Sequence, residues 1–341
     1  MRDIPRLHFA HLPTPIESLP RLSEALGGPR LLVKRDEQTG LAFGGNKTRK
    51  LEFLVAEAQA QRADMLITAG ALQSNHCRQT AAAAARFGYG CQLVLFGEPP
   101  SAPSANLWLD HLFNAEMIYT DRAHRDEILQ QTFDKAREQG RKPYLVPYGG
   151  SNSTGALGYV YALEEFVAQN TSADWLVFPS SSGGTQAGML LGARLFGYGG
   201  KVLGISVDEP KRDLQERVAS LAAETSERLG KRIEFAADEV LVNDDYCAAG
   251  YGILTQAERE AVRLFAGLEG LLIDPVYTGR AAAGLIDLIR KGYFKKDDTV
   301  LFWHTGGGPA LFAEKYADVI ANRGLERSEG SVEGAAKQPP P

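Results

Sequence analysis

A regular alternation of short apolar segments with longer amphipathic ones runs along almost the whole chain and limits the folds open to it. Segments such as RLLVKRD, DMLITAG, CQLVLFG and DWLVFPS are typical of buried strands, and each precedes a segment with apolar residues at helical spacing. Strands alternating with helices predict an α/β fold of parallel sheets covered by helices on both faces. Because 341 residues are many for one core, we expect two such three-layer domains with a crevice between them.

Two segments suggest how the chain is divided. YGGSN, residues 148–152, interrupts the alternation and is a plausible crossover between the domains. Residues 323–341 are polar, rich in Gly and Pro and without periodicity, so they are predicted to form a disordered tail.

Charge and composition narrow the classes of function. The chain carries 37 Lys and Arg against 42 Asp and Glu and has no basic block, so neither nucleic acid nor an anionic membrane is an expected partner. No stretch reaches the roughly 18 apolar residues of a membrane-spanning helix, and the N-terminus does not resemble a signal peptide. Three scattered cysteines without C-x-x-C predict neither a disulfide framework nor a metal site. These features favour a reducing, cytoplasmic location.

The first segment whose residues could take part in chemistry is FGGNKTRKLEF, residues 43–53. Asn46 suits the N-cap of a helix, and Lys47, Arg49 and Lys50 then fall in the first turn, where the helix dipole disfavours positive charge. Such a position would lower the pKa of Lys47, and a neutral amine can form a Schiff base with an aldehyde. Alternatively, the three cations are ordinary solvated side chains.

The second segment is DMLITAGALQSNHCRQT, in which a strand ends and a helix begins near Ser74 or Asn75. Free N–H groups at a helix start can hold a carboxylate, and Gln73, Ser74 and Asn75 add side-chain donors. Ser74 alone could be a simple N-cap. His76 is interpreted as a structural residue and is not included in the predicted site.

The third segment is VFPSSSGGTQAGM, an apolar strand, a Ser/Gly loop and a helix. Backbone N–H groups in this arrangement suit a phosphate dianion. The loop is neither a Walker A motif nor a G-x-G-x-x-G dinucleotide motif, so a ligand with one phosphate fits it better than a nucleotide. A flexible linker is the alternative, which the flanking strand and helix disfavour.

A Schiff-base lysine, a carboxylate site and a single-phosphate site together predict an enzyme that uses pyridoxal 5′-phosphate and acts on a small amino acid. Two other classes stay open. An enzyme that binds a phosphorylated substrate at SSSGGT would leave Lys47 idle, and an inactive amino-acid sensor would need no reactive lysine.

Six motifs in order resemble one known family: GGNKTRKLEF, GALQSNHCRQTAA, SSSGGTQAG, DDYCAAGYG, LLIDPVYTGRAAAGLID and FWHTGGGPALF. They are similar to the D-cysteine desulfhydrase and 1-aminocyclopropane-1-carboxylate deaminase family, in the tryptophan-synthase-β-like branch of pyridoxal-phosphate enzymes. The resemblance covers roughly residues 5–320. It implies a large cofactor-binding domain from residues 1–45 and 151–322, a small domain from residues 46–150, and a homodimer.

The resemblance also implies roles for individual residues. Lys47 would bind the cofactor and exchange protons with the substrate α-carbon, and Asn75 would contact the phenolic oxygen of the cofactor. Ser74, with Gln73 and neighbouring backbone, would hold the substrate carboxylate. The remaining implied contacts are to the phosphate for Ser182, Gly183, Gly184 and Thr185, and to the substrate for Tyr251 and Tyr277.

Within the family, two positions near the pyridine nitrogen of the cofactor divide the reactions. The deaminase resembles DPVYEG and HLGG, whereas this chain has Thr278 and Thr305 at the Glu and Leu positions. A carboxylate there would keep the pyridine nitrogen protonated and deepen the electron sink needed to open a cyclopropane. A neutral hydroxyl suffices when the β-substituent leaves readily.

The two threonines therefore favour α,β-elimination, with D-cysteine as the first candidate substrate. L-Cysteate, which would release sulfite, is the second, and the cyclopropane amino acid is a distant third. A sulfonate would need donors such as His76 and Arg78, although Arg78 could equally form an ion pair on the helix surface.

Overall fold

The computed structural model describes residues 2–316 and contains ten strands and ten α-helices in that range. The strands are β1 (Ile16–Ser18), β2 (Arg30–Arg35), β3 (Met65–Ala71), β4 (Gly90–Phe96), β5 (Glu116–Thr120), β6 (Pro143–Leu145), β7 (Trp175–Ser180), β8 (Lys201–Ser206), β9 (Leu241–Asn243) and β10 (Thr299–His304). The helices are α1 (Pro20–Leu26), α2 (Asn46–Ala60), α3 (Asn75–Phe87), α4 (Ala105–Leu112), α5 (Arg125–Glu138), α6 (Ser153–Ala168), α7 (Gly184–Phe196), α8 (Lys211–Arg228), α9 (Gln256–Glu269) and α10 (Thr278–Arg290). The predicted tail at 323–341 lies outside the described residues.

The larger sheet has the strand order β1-β2-β10-β7-β8-β9. All neighbours in it are parallel except β1, which pairs antiparallel with β2 through Ile16 and Lys34. No strand was predicted at β1 or β9, each of which has three residues, too few to show a hydrophobic period on their own. The expectation of parallel sheets is therefore correct apart from one edge strand.

Helices cover both faces of the larger sheet. Successive side chains of its central strand β10 point to opposite faces, and those on each face pack against helices. Val300 and Phe302 of β10 pack in the core formed with α1, α9 and α10. Leu301 and Trp303 pack in the core formed with α6 and α7. Since both sets are fully buried, β10 reads as a continuous apolar run, as strands inside parallel sheets do.

The smaller sheet has the order β5-β4-β3-β6, with every pair parallel. Met65 and Ile67 of β3 face α5, while Leu66 packs with residues of α2, α3 and α4. The two sheets with their helices confirm the predicted α/β class with two parallel-sheet units.

The chain contributes to the two sheets unequally. All strands of the smaller sheet lie between residues 65 and 145, whereas the larger sheet takes strands from both sides of that interval. Helix α2 packs on both units, because Leu51 and Leu54 join the core of the smaller one and Phe53 packs against Leu157 and Val160 of α6. The domain limits at 45/46 and 150/151 stay predictions.

Among residues 2–316, no helix combines the length and the apolar character that crossing a membrane requires.

Candidate active site

A cavity lies where strands of both sheets end. The loops that follow β3, β6, β7 and β10 meet there, as expected at the carboxyl edges of parallel sheets. Its empty volume, including the mouth, is about 650 Å³. The lining residues are Asn46, Lys47, Ser74, Asn75, His76, Tyr148, Gly149, Pro179, Ser180, Ser181, Ser182, Gly183, Thr185, Tyr277, Thr305 and Gly306.

Lys47 projects into this cavity from the first turn of α2. Its Nζ donates to the carbonyl oxygen of Gly149 at 2.9 Å. Burial of the amine lowers the pKa of Lys47 to about 8. The N-cap is Gly45 and not Asn46, because the helix already begins at Asn46, whose Nδ2 donates to Thr185 Oγ1 at 3.1 Å.

Arg49 is a buried structural cation, and the interpretation of the three cations as solvated side chains is wrong for it. Its guanidinium donates to Asp36 at 2.8 and 2.9 Å and to Glu165 at 2.8 and 3.0 Å. Lys34 completes the network with a 2.6 Å ion pair to Glu165. The network ties α2 to β2 and α6 and so fixes the helix that carries Lys47.

Lys50 is also buried, and sequence reasoning assigned it no function. Its Nζ donates to Gly149 O at 3.2 Å and to Ser151 Oγ at 3.1 Å. Burial, followed by the nearby charge of Lys47, holds the pKa of Lys50 well below its usual range. Because Ser151 Oγ lies 2.7 Å from Ser182 Oγ, Lys50 connects to the Ser/Gly loop through one hydroxyl.

The Ser/Gly loop, predicted to be an anion site, leads from β7 into α7. Gly183 is the N-cap with φ +84°, so no side chain caps the helix, and its first turn contains no acidic residue. A Cβ on Gly184 would lie 2.6 Å from Ser151 Oγ, and one on Gly149 would lie 2.5 Å from Ser182 Oγ. The Gly184 N–H donates to Ser151 Oγ at 3.3 Å. Backbone N–H groups at an uncapped helix start, in a space that a side chain would fill, suit a small anion.

Ser74 is the N-cap of α3, as its sequence context suggested, and its Oγ accepts from Cys77 N at 3.2 Å. It still lines the cavity, together with Asn75. Gln73 does not line it, because its side chain bonds with the start of α4: Oε1 accepts from Asn106 N and Nε2 donates to Ser104 O. A role of Gln73 in substrate binding stays a prediction.

Arg78 is neither on the helix surface nor in the cavity lining, which corrects both of its expected roles. It is fully buried and donates to Asn75 Oδ1 at 3.0 Å, Asn106 Oδ1 at 2.8 Å and Gly44 O at 3.1 Å. Arg78 is the fourth residue of α3 and is buried by contacts with Gly44 and Asn106 outside its own helix, which periodicity alone did not indicate.

Two aromatic residues that sequence reasoning left out also line the cavity. His76 Nε2 lies 2.9 Å from Thr68 Oγ1, whose own proton goes to Val146 O. Nε2 must therefore carry the hydrogen, and burial with nearby Lys47 and Lys50 holds the pKa of His76 well below its usual range. Burial likewise raises the pKa of Tyr148 to about 12. A histidine directly after the Ser-Asn pair was the available signal, whereas nothing local marked Tyr148.

Tyr251 and Tyr277 come together although 26 residues separate them. Their hydroxyl oxygens are 2.8 Å apart. Tyr277 lines the cavity, while Tyr251 lines a neighbouring cavity next to Ser104 and Tyr316. Burial holds the pKa of both phenols well above the usual range, so both are neutral donors near neutral pH.

The two threonines occupy different surroundings. Thr305 lines the cavity, whereas Thr278 is buried beneath it and does not. The Thr278 hydroxyl donates to Asp274 Oδ1 at 2.7 Å and accepts from Asp274 N at 2.7 Å. The assignment of both threonines to the cofactor stays a prediction, and in this arrangement Thr305 is the better placed.

Known proteins share the family and the fold of this chain. Residues 7–306 match the family model of the pyridoxal-phosphate dependent enzymes. A crystal structure of an ACC deaminase homologue superposes with a TM-score of 0.86 at 35% identity, covering 93% of this chain and 96% of that one. A hydrogen sulfide-producing enzyme from Fusobacterium nucleatum shares the fold, with a TM-score of 0.62 at 16% identity over 86% of this chain and 95% of that one. The chain therefore belongs to the pyridoxal-phosphate dependent enzymes, in the group that contains the ACC deaminase homologue.

Proposed function

We propose that the protein is a lyase that eliminates the β-substituent of a small amino acid, with D-cysteine as its first candidate substrate. The observation that carries this proposal is the chemistry of the cavity wall. No Asp or Glu occurs among the described residues that line it. Thr278 stands where the deaminase pattern has glutamate, and Thr305 where it has leucine. A wall without a carboxylate favours a reaction in which the leaving group departs readily.

The described residues fit pyridoxal phosphate. A Cβ on Gly149 would lie 2.5 Å from Ser182 Oγ and 3.5 Å from Lys47 Nζ, and one on Gly184 would lie 2.6 Å from Ser151 Oγ, so both glycines leave space that a side chain would fill. Ser182, Gly183, Gly184 and Thr185 would hold the phosphate at the start of α7, and Lys47 would hold the aldehyde carbon. When bound, the cofactor supplies an electron sink for negative charge that develops on the substrate α-carbon.

The chain's own groups then bind the substrate and move its protons. The start of α3, with Ser74 and Asn75, would hold the carboxylate. Lys47 Nζ, whose neutral fraction is increased because burial lowers its pKa to about 8, would accept the α-proton. The paired hydroxyls of Tyr251 and Tyr277 would donate a proton to the departing sulfur. In total, cysteine and water give pyruvate, sulfide and ammonia.

The cysteate alternative receives less support from the cavity. A sulfonate needs cationic donors, and Arg78, the arginine proposed for it, is bonded to Asn75, Asn106 and Gly44 outside the lining. We also propose a cytoplasmic homodimer. The exposed apolar side chains of Phe43, Leu272 and Phe312 support an interface, which sedimentation of the purified protein would test.

The deciding experiment offers D-cysteine, L-cysteine, L-cysteate and 1-aminocyclopropane-1-carboxylate to the holoenzyme and identifies the products. We expect pyruvate and sulfide from D-cysteine, and no turnover in Lys47→Ala, which should keep its far-ultraviolet circular dichroism. Turnover of the cyclopropane substrate alone would refute the elimination. Absence of a visible cofactor band in the wild type would remove the assigned role of Lys47.

A further inference from the structure

The amide of Asn75 is held in one orientation by two buried donors. Asn75 Oδ1 accepts from Arg78 Nη1 at 3.0 Å and from Asn106 Nδ2 at 2.8 Å. A guanidinium has donors only, so the oxygen of the Asn75 amide must face Arg78. The amide nitrogen is then on the other side, where a Cβ on Gly307 would approach it to 2.8 Å.

The two donors are themselves fixed by their other contacts. Arg78 also donates to Asn106 Oδ1 and to Gly44 O, three residues before Lys47. Asn106 donates through Nδ2 to Gln73 O at 2.9 Å and through its backbone N to Gln73 Oε1 at 2.9 Å. One cluster thus connects the loop before Lys47, the start of α3 and the start of α4.

Burying the charged side chain of Arg78 in this cluster costs desolvation free energy. Arg78 and Asn106 are fully buried, and within residues 2–316 no carboxylate forms a salt bridge with Arg78. Burial lowers the pKa of Arg78 to about 10, although the carboxyl groups of Asp110 and Asp274 oppose this shift without a direct ion pair. Replacing a buried charged group by an apolar side chain of similar size is often neutral or stabilising, so the three hydrogen bonds of Arg78 point to a role in orienting Asn75.

We propose that Arg78 and Asn106 are positioning residues, which keep the Asn75 amide nitrogen directed at the phenolic oxygen of bound pyridoxal phosphate. The inference rests on the proposed contact between Asn75 and that oxygen. An N–H donor stabilises the ionised oxygen, whereas a reversed amide would present its own oxygen and favour the protonated form.

The sharpest test is Asn106→Asp in the holoenzyme. The new carboxylate has the shape of the amide and forms an ion pair with Arg78, but it accepts where Asn106 Nδ2 donates. Asn75 Oδ1 then keeps the donor Arg78 but faces an acceptor in place of Asn106 Nδ2, so the amide loses its single orientation and its nitrogen is no longer held toward the cofactor. We expect the visible cofactor band to lose most of its intensity to the near-ultraviolet band, and the Kd for the cofactor to rise roughly tenfold.

Two reference variants separate the possible outcomes. Asn75→Ala removes the donor itself and should produce the same spectral change, while Asn170→Asp, an exposed substitution at the end of α6, should leave the spectrum as in the wild type. If Asn75→Ala changes the spectrum and Asn106→Asp does not, the positioning role is refuted and the contact of Asn75 survives. If Asn75→Ala has no effect, the contact itself fails and the inference fails with it.

A folding defect is detected independently of the cofactor by the thermal unfolding of each apoprotein. Should Asn106→Asp fail to fold, Arg78→Lys provides the same test, because a lysine keeps the charge but cannot reach Asn75, Asn106 and Gly44 together. An unchanged spectrum in a folded Arg78→Lys protein would equally refute the proposal.

Discussion

Helix α2 carries two cations, Lys47 and Arg49, on different sides, and their surroundings shift their pKa values in opposite directions. On the cavity side, Lys47 has a carbonyl oxygen as its only hydrogen-bond partner among the described residues, and burial lowers its pKa to about 8. On the core side, Arg49 is equally removed from water, but Asp36 and Glu165 more than offset the effect of burial and raise its pKa. Both are basic residues in the same helical turn.

The difference shows that burial alone does not determine what a cation does. Without a carboxylate, burial favours the neutral amine, which is the form that attacks an aldehyde. With two carboxylates, the same burial produces a permanent charge that stabilises the fold. Function on this helix is therefore assigned by the neighbours that tertiary structure supplies.

The largest expected effect comes from removing the paired cation. Arg49→Met leaves Asp36 and Glu165 with Lys34 as their remaining cation and should lower the free energy of unfolding by about 3–5 kcal/mol. Lys47→Met should not lower it, because no buried carboxylate loses a partner. Urea unfolding of the two apoproteins measures both.

Arg290→Met is the matched control, because Arg290 pairs with Glu260 at the surface, where both side chains are about half exposed. It should cost at most about 1 kcal/mol. Equal destabilisation by Arg49→Met and Arg290→Met would contradict the distinction between the two sides of α2.

The lowered pKa of Lys47 should appear directly in its reactivity. Only the neutral amine reacts with aldehydes, so the rate of reductive methylation of Lys47 by formaldehyde should rise about tenfold per pH unit below pH 8 and level off above it. Mass spectrometry of peptides from the apoprotein follows this rate.

Exposed Lys291 is the internal control. Its hydrogen bond to Asp287 raises its pKa, so its reactivity should keep increasing well beyond pH 8. If the reactivities of the two lysines had the same pH dependence, the cavity would not lower the pKa of Lys47.

The threonine pair extends the comparison with a smaller effect. Thr278→Val leaves Asp274 N and Oδ1 without that hydroxyl and should lower the free energy of unfolding by about 1–3 kcal/mol. Thr305→Val should leave stability nearly unchanged and lower kcat/KM on the preferred substrate roughly tenfold. Thermal unfolding and steady-state kinetics measure both effects. If Thr278→Val lowers kcat/KM and Thr305→Val lowers stability, Thr278 and not Thr305 acts in the cavity.

Sequence reasoning was reliable where a pattern repeats over many residues. The alternation of strands and helices predicted the α/β class, and the six long strands of the two sheet centres carry the apolar runs that made this possible. The three-residue strands β1 and β9 have no such run, and the antiparallel direction of β1 depends on how the chain folds back on β2. Local sequence does not encode that return.

For the site, residues next to a strand end could be predicted, and those brought in by distant contacts could not. Lys47, Ser74, Asn75 and Thr305 lie in motifs at helix starts or strand ends. Lys50 and Tyr148 reach the same place through the meeting of α2 with the 148–150 turn, a contact between segments about 100 residues apart. Arg78 was placed wrongly for the same reason, since Gly44 and Asn106 bury it from outside its own helix.

The larger sheet pairs β2, from near the start of the chain, with β10, from near the end of the described residues. β10 lies between β2 and β7, and its first residue, Thr299, is opposite Arg30. During synthesis the smaller sheet is complete once β6 at residue 145 has emerged, whereas the centre of the larger one must wait for almost the entire chain. Pairing across such a separation is slow to form. We therefore expect the part of the chain that carries α3 to acquire structure first, and the cofactor cavity to exist only as the last step of folding.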